Sequence, residues 1–308
     1  MPVERAGKRQ RLEKADAASL ERGVRQILAD KVSGSLLGLW LLVPEHLRLG
    51  TWDLLRSGPG HPLEGALAPR LALHLVHEAA LCRASLRQDR SLRHKGFELL
   101  NGLPFLPSDG ALHNLLEGRT IAQAQQLQIA LGKLRRASGH FKGQVLALDP
   151  HRLASYSKRD MIKRRPSSGQ AATKQAQTFF LLDGETSQPL CLANGSSARG
   201  LASATQEVLR LAEQILPASD PRPLLVADVE HFTVELLDYV RQHTPFDLLV
   251  PLRQTAELQR HYRAMPESAF IRHWAGYAIA TETFMPRRTH LSEPCWRYIQ
   301  RTGERPDS

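Results

Sequence analysis

Gln144-Val145-Leu146-Ala147-Leu148-Asp149 and Pro223-Leu224-Leu225-Val226-Ala227-Asp228 decide how this chain reads. Each is a short apolar run closed by an aspartate, the pattern of a buried strand. A carboxylate at the end of such a strand is costly to desolvate unless something neutralises it. Two such ends side by side in one sheet would make a divalent-metal site. In a basic chain, that combination points to phosphodiester chemistry on nucleic acid.

Working outward from these runs gives an ordered set of elements. Strand 144–149 is followed by a polar, basic connection over 150–175. Strands at 178–183 and 189–193 flank a turn at Gly184-Glu185. A helix over 203–216 carries Val208, Leu209, Leu211, Ala212 and Ile215 on its apolar face. Strand 224–228, a helix over 233–243 and a strand over 246–250 complete the series. Three hairpin-type strands, then helix, strand, helix, strand, is the order of an RNase H-like domain. That order puts its metal ligands on the first strand and at the end of the fourth, where Asp149 and Asp228 fall. Segments 274–283 and 295–300 read as further strands.

The region before residue 139 is helical. Leu20, Val24, Ile27 and Leu28 recur at helical spacing, as do Leu71, Leu75 and Val76. Gly-Pro-Gly-His-Pro at 58–62 reads as a loop. Asp109 is placed to cap a short helix through Leu116, and Thr120 to cap a longer one over 121–136 that ends in Lys133, Arg135 and Arg136. A short helix, a tight turn and a long basic-ended helix suit either DNA contact or plain packing. The expected fold class is therefore α/β: an N-terminal helical region (1–139), an RNase H-like mixed sheet flanked by helices (140–264), and a β-rich segment (265–308).

Bulk properties narrow the class. The chain has 308 residues, enough for about two domains. Charge is +10 with a pI near 9.9, which favours polyanions. Arg5, Lys8, Arg9, Arg11 and Lys14 form a basic start, read either as a phosphate-contacting tail or as a solvated helix start. The three cysteines are widely spaced and have no CxxC, so neither a disulfide framework nor a zinc site is expected, and a reducing cytoplasm is the default. No signal peptide and no membrane span are expected, the longest apolar stretch (36–43) being too short. Motifs for phosphate loops, nucleophile-elbow hydrolases and HExxH metalloproteases are absent. His74 and His77, three apart on a helix, read as a partly buried pair rather than a metal site.

A two-metal site needs hard oxygen ligands around two Mg²⁺ (or Mn²⁺) ions about 4 Å apart. In this reading Asp149 bridges both ions and Asp228 holds one. His151, Arg152, Lys158, Arg159, Lys163, Arg164 and Arg165 follow the first aspartate closely and are suited to phosphate contacts. Tyr156 is placed to stack on a base or sugar.

The same residues carry a family resemblance. Asp149-Pro150-His151-Arg152, the segment from Leu127 to His140, Lys95-Gly96-Phe97-Glu98 with Gly102-Leu103-Pro104, Thr178-Phe179-Phe180-Leu181-Leu182 and Ala227-Asp228-Val229-Glu230-His231-Phe232 resemble bacterial insertion-sequence transposases with an RNase H-like DDE core. The resemblance runs from about residue 70 to the end. It implies an N-terminal DNA-binding or oligomerisation region and a catalytic core that cuts and joins DNA at element ends. Asp149 is then the first acid and Asp228 the second. It further implies double-stranded DNA as partner (terminal repeats and target), a homo-oligomer as an option, and a bacterial cytoplasmic, nucleoid-associated location.

The third acid of such enzymes is a Glu on a helix beyond a β-rich insertion. Glu257, Glu282, Glu293 and Glu304 are the acids in range, Glu257 having the best spacing. The expectation favours a chain that stops short of that helix, which leaves a C-terminally truncated transposase. A non-catalytic DNA-binding remnant and an RNase H-like nuclease using Glu257 are the alternatives. Glu230, two residues after Asp228, is expected to neighbour the site without joining the metal ligands.

Overall fold

A computed structural model of the chain describes residues 22, 37–56, 67–81, 100–103, 107–156, 158, 161–165, 169, 171–196, 199–273, 277–286 and 294–302. The basic start, the helical pattern at 20–28, the 58–62 loop, the 95–98 motif, Arg159, Trp274, Glu293 and Glu304 lie outside the described residues. The chain divides into two compact units, 1–127 and 128–308.

In the first unit, helices α1 (Val43–Leu49), α2 (Thr51–Arg56), α3 (Leu67–Ala80) and α4 (Asp109–Glu117) surround small apolar clusters. Ala68 and Leu71 of α3 bury against Leu103, Leu112 and Leu115. The cap of α4 is Ser108 rather than Asp109: the Ser108 hydroxyl accepts from the Ala111 N–H at 3.2 Å, and Asp109 is the first helical residue. Helix α5 (Ile121–Ala137) opens on the expected Thr120. Thr120 and Gln123 cap each other reciprocally at 3.2 and 2.9 Å, satisfying two N–H groups that the first turn leaves open.

Residues 128–137 of α5 belong to the second unit, with strands β1 (Val145–Ala154), β2 (Lys163–Arg164), β3 (Thr173–Asp183) and β4 (Pro189–Ser196). Helix α6 (Leu201–Ile215), β5 (Leu224–Ala227), α7 (Val234–His243) and β6 (Asp247–Leu249) follow. The sheet runs β2-β3-β1-β5-β6, with β4 on β3. β1 is antiparallel to β3 and parallel to β5, and β5 is parallel to β6. This is a mixed sheet flanked by helices in the RNase H-like arrangement.

One face of the sheet is dry. Leu146, Leu148, Phe179, Leu181 and Leu225 bury against Val208, Leu209, Ala212 and Ile215 of α6. Each fully buried aliphatic side chain contributes about 1.5–3 kcal/mol. Burial alternates along β1, and the opposite parity (Val145, Ala147, Asp149) is open or half-open.

The strands differ from the sequence reading in one consequential way. Residues 150–154 are not a connection; they continue β1 and pair with residues 175–179 of β3. Asp149 is therefore inside a strand. β5 stops at Ala227, so past Leu148 the strand keeps a partner on one side only, and an edge position of that kind tolerates Pro150.

Two contacts fix β1 in place. Asp183, fully buried at the end of β3, accepts from the N–H groups of Lys142 (2.8 Å) and Gly143 (2.7 Å) just before β1. It also accepts from the N–H groups of Glu185 (3.2 Å) and Thr186 (2.9 Å) and from the Thr186 hydroxyl (2.9 Å). On the outer edge, the Gln128 amide pairs with both the N–H (2.9 Å) and the C=O (3.2 Å) of Leu192, covering strand β4 as another strand would.

A second, three-stranded antiparallel sheet follows helix α8 (Ala256–Ala264): β7 (Ile271–His273), β8 (Tyr277–Phe284) and β9 (Cys295–Thr302), in that order. It occupies the segment read as β-rich. Among the described residues, no helix is long and apolar enough to cross a membrane.

Candidate functional site

The register of the parallel pair brings the two aspartates together. Leu148 pairs with Ala227, so Asp149 and Asp228 each come one position later. Neighbouring strands lie about 4.8 Å apart, and residues level with each other in a parallel pair share a face. Asp149 alternates with the buried Leu148 and so leaves β1 on the face opposite the α6 core, and Asp228 follows Ala227 just past the last paired position.

The chain after β5 holds Asp228. It extends (φ −77°, ψ 175°) and caps the single 3-10 turn Val229–His231. Oδ1 accepts from the Glu230 N–H at 3.2 Å and from Nδ1–H of His231 at 2.5 Å. His231 is fully buried, and its Nε2 has no hydrogen-bond partner among the described residues. Both donors act on Oδ1.

Glu230, expected only as a neighbour, grips Arg152 of β1 at two points: Nη1 donates to Oε1 at 3.0 Å and Nη2 to Oε2. The hydrogen bond to Glu230 raises the Arg152 pKa. Burial opposes that rise, and the fields of Glu230, Asp228 and Asp149 add to it. The Glu230 carboxyl is lowered, first by its hydrogen bond from Arg152, against burial, and then by the fields of Arg152, His231 and Arg253. Arg152 thus sits within electrostatic reach of all three carboxylates.

Among the described residues, no group of three or more His, Cys, Asp or Glu could hold a metal. Glu257 lies exposed in the first turn of α8. Glu282 serves the small sheet: it accepts from Arg297 Nε at 2.6 Å and lies 2.9 Å from His261 Nε2. Burial raises its carboxyl, and the hydrogen bonds from His261 and Arg297 outweigh that and leave it lowered.

The sequence-read phosphate contacts divide. His151, Lys158, Lys163 and Arg165 are exposed on or beside the overhanging β1–β3 ribbon, and Tyr156 is 96% exposed. Arg164 lies in β2. Lys133 is exposed on α5. Arg135 and Arg136, by contrast, make protein contacts. Arg135 donates to the Pro189 carbonyl (2.5 Å) and Gln188 Oε1 (2.8 Å) and stacks over Phe141, and Arg136 donates to the Ile215 carbonyl at 2.6 Å. The residue that sequence reasoning missed is His231. Its signal was a histidine three residues after a strand-end aspartate, on the side of a tight turn where its ring can return to the carboxylate.

A groove of about 440 Å³ lies beside this cluster, lined by Ala227, Phe232, Leu249, Tyr262, Trp296 and Tyr298 among others. Trp296 and Tyr298 are 65% and 62% exposed.

No protein-family model matches the chain, and no curated protein matches it. Among solved structures it is similar to the piggyBac transposase synaptic complex with hairpin DNA, at 10% identity and a TM-score of 0.37 over 81% of this chain. It spans 60% of that transposase's chain. It is also similar to the Mos1 mariner paired-end complex with Mn (13% identity, TM-score 0.25, 80% of this chain and 84% of that one). A third likeness is to Ciona intestinalis endonuclease V in complex with a 24mer DNA (12% identity, TM-score 0.21, 60% of this chain and 83% of that one).

Proposed function

We propose that this chain is a DNA transposase of the DDE type found in bacterial insertion sequences, with Asp149 and Asp228 as its first two acids. The observation that supports this reading is the register: each aspartate comes one position after the Leu148–Ala227 pair of two adjoining parallel strands. The donor set suits Mg²⁺ or Mn²⁺, which take one or two carboxylates and complete their shell with water and substrate phosphate oxygens. Bound there, such ions supply an activated oxygen nucleophile and stabilise the leaving oxygen.

The chain's own residues bind and orient. Asp149 and Asp228 would hold the ions, Arg152 would offer its planar guanidinium to a phosphate that displaces Glu230, and the ribbon cations would track the DNA backbone. Tyr156 is exposed for stacking. Double-stranded DNA, as element ends and target, is the substrate in this reading.

The test is divalent-dependent nicking of duplex DNA carrying the sequences that flank the reading frame. Asp149→Asn and Asp228→Asn should each abolish cleavage while binding persists. Cleavage that survives either change ends the metal-site assignment. Binding without cleavage in the unaltered chain favours the second reading, a DNA-binding transposase remnant.

A further inference from the structure

We infer that His231 is a positioning residue for Asp228, fixing which carboxylate oxygen is presented to a divalent ion; this rests on the proposed role of Asp228. A carboxylate only accepts, so the 2.5 Å contact places the proton on Nδ1 of His231. The ring is fully buried, and its other nitrogen meets no hydrogen-bond partner among the described residues. Burying an imidazole with one nitrogen unsatisfied is costly. The arrangement makes sense where the ring's single contact has a purpose that a leucine could not serve.

That purpose is geometric. Asp228 follows the last paired residue of β5, so the sheet ladder no longer restrains it. Its side chain is 43% exposed and free to rotate about χ1 and χ2 unless held. The Glu230 N–H and His231 Nδ1–H both engage Oδ1, one from the turn and one from the buried side. Neither donor engages Oδ2, and the inference assigns that oxygen to the ion. Partners that orient metal-binding carboxylates in this way typically account for 10- to 100-fold in metal affinity.

The experiment is an Mn²⁺ titration of the full chain followed by electron paramagnetic resonance. His231→Phe keeps a ring of similar size and removes the donor; His231→Asn puts an amide N–H where Nδ1 stood. The expected result is about 10- to 100-fold weaker Mn²⁺ binding in H231F and near-wild-type binding in H231N. Equal weakening in both, or in neither while D228N abolishes binding, overturns the inference. If D228N binds Mn²⁺ like the unaltered chain, the role of Asp228 itself fails, a separate outcome. Should H231F fail to fold, the imidazole proton decides. A downfield Nδ1–H resonance at His231 that Asp228→Ala, which leaves no acceptor, removes supports the inference, and its persistence in D228A overturns it.

Discussion

Arg152 and Glu230 form a two-point ion pair that ties the strand carrying Asp149 to the turn following Asp228. The guanidinium is about one-third exposed, and so is the carboxylate. A pair this open contributes roughly 0–1 kcal/mol to stability. Its larger consequence concerns charge, because Glu230 occupies a cation that lies in the field of both aspartates. Glu230→Gln should therefore release Arg152 and tighten DNA binding by a few-fold, about what such a pair's energy allows. Arg152→Gln should weaken binding and lower the salt slope by about one. The check is a double-mutant cycle on DNA affinity across a salt series. If E230Q tightens binding equally with and without Arg152, the pair is not coupled at the DNA surface.

Gly132→Ala should destabilise the second unit, although alanine is the better helix former by about 1 kcal/mol. A Cβ at Gly132 would meet Ile215 side-chain atoms at 2.6, 2.8 and 2.9 Å. Ile215 is fully buried and cannot swing away. Overpacking of this kind costs about 1–3 kcal/mol, so the net change is a loss. Urea denaturation should show a lower midpoint for G132A; an unchanged or higher one would mean that α5 and α6 can separate at no cost.

Asp183 should hold the second unit together down to acid pH and then release it. Burial raises its carboxyl, and the hydrogen bonds from Gly143, Thr186 and Lys142 outweigh that and leave it lowered. A depressed carboxyl stabilises the fold fully above its unfolded value of about 3.8, and that contribution is lost as pH falls through the lower folded value. Asp183→Asn should remove it at all pH values, costing at least ~1.5 kcal/mol because hydrogen bonds to a charged group are lost. The expected signature is a stability difference between wild type and D183N that is flat at neutral pH and shrinks below pH 3.8.

Much of the strand pairing was legible because its logic is local. Val145 to Leu148 and Leu224 to Ala227 are apolar enough to be buried strands wherever they pair, and each ends on its aspartate. What escaped depends on partners distant in sequence. Nothing near Pro150 shows that β1 continues, because its partner is the 175–179 stretch of β3. Arg135 and Arg136 look like phosphate contacts until residues 188, 189 and 215 are folded against them. Asp183 looks like an ordinary turn former, and its clamp on residues 142 and 143 exists only once β1 and β3 are paired. The histidine pair on α3 belongs with these, since its partners come from α1 and the segment before α4.

The first unit should lose stability on mild acidification, through His46 and His77. Their Nε2 atoms face each other at 3.0 Å, so one must donate and the other accept. His77 Nδ1 lies 2.7 Å from Asn101 Oδ1, which can only accept, so His77 carries its proton there and receives one from His46. His46 Nδ1 in turn faces the Thr51 hydroxyl at 3.2 Å. Asn101 reaches on to His74, whose Nε2 contacts Glu78 at 2.5 Å. A second proton on His46 or His77 breaks this one-way chain. Burial lowers His46, against the field of Glu45. Burial also lowers His77, against its hydrogen bond to Asn101, and the fields of His46 and His74 lower it further. A lowered histidine means that the unfolded chain binds more protons just below pH 6.5, so stability is complete above that value and declines as pH falls through it. Thermal unfolding of the full chain between about pH 7.5 and 5.5 should show a falling first transition in wild type. His46→Gln, which offers an amide N–H to His77 without a titrating ring, should flatten that slope. A slope identical in wild type and variant would place the acid sensitivity elsewhere.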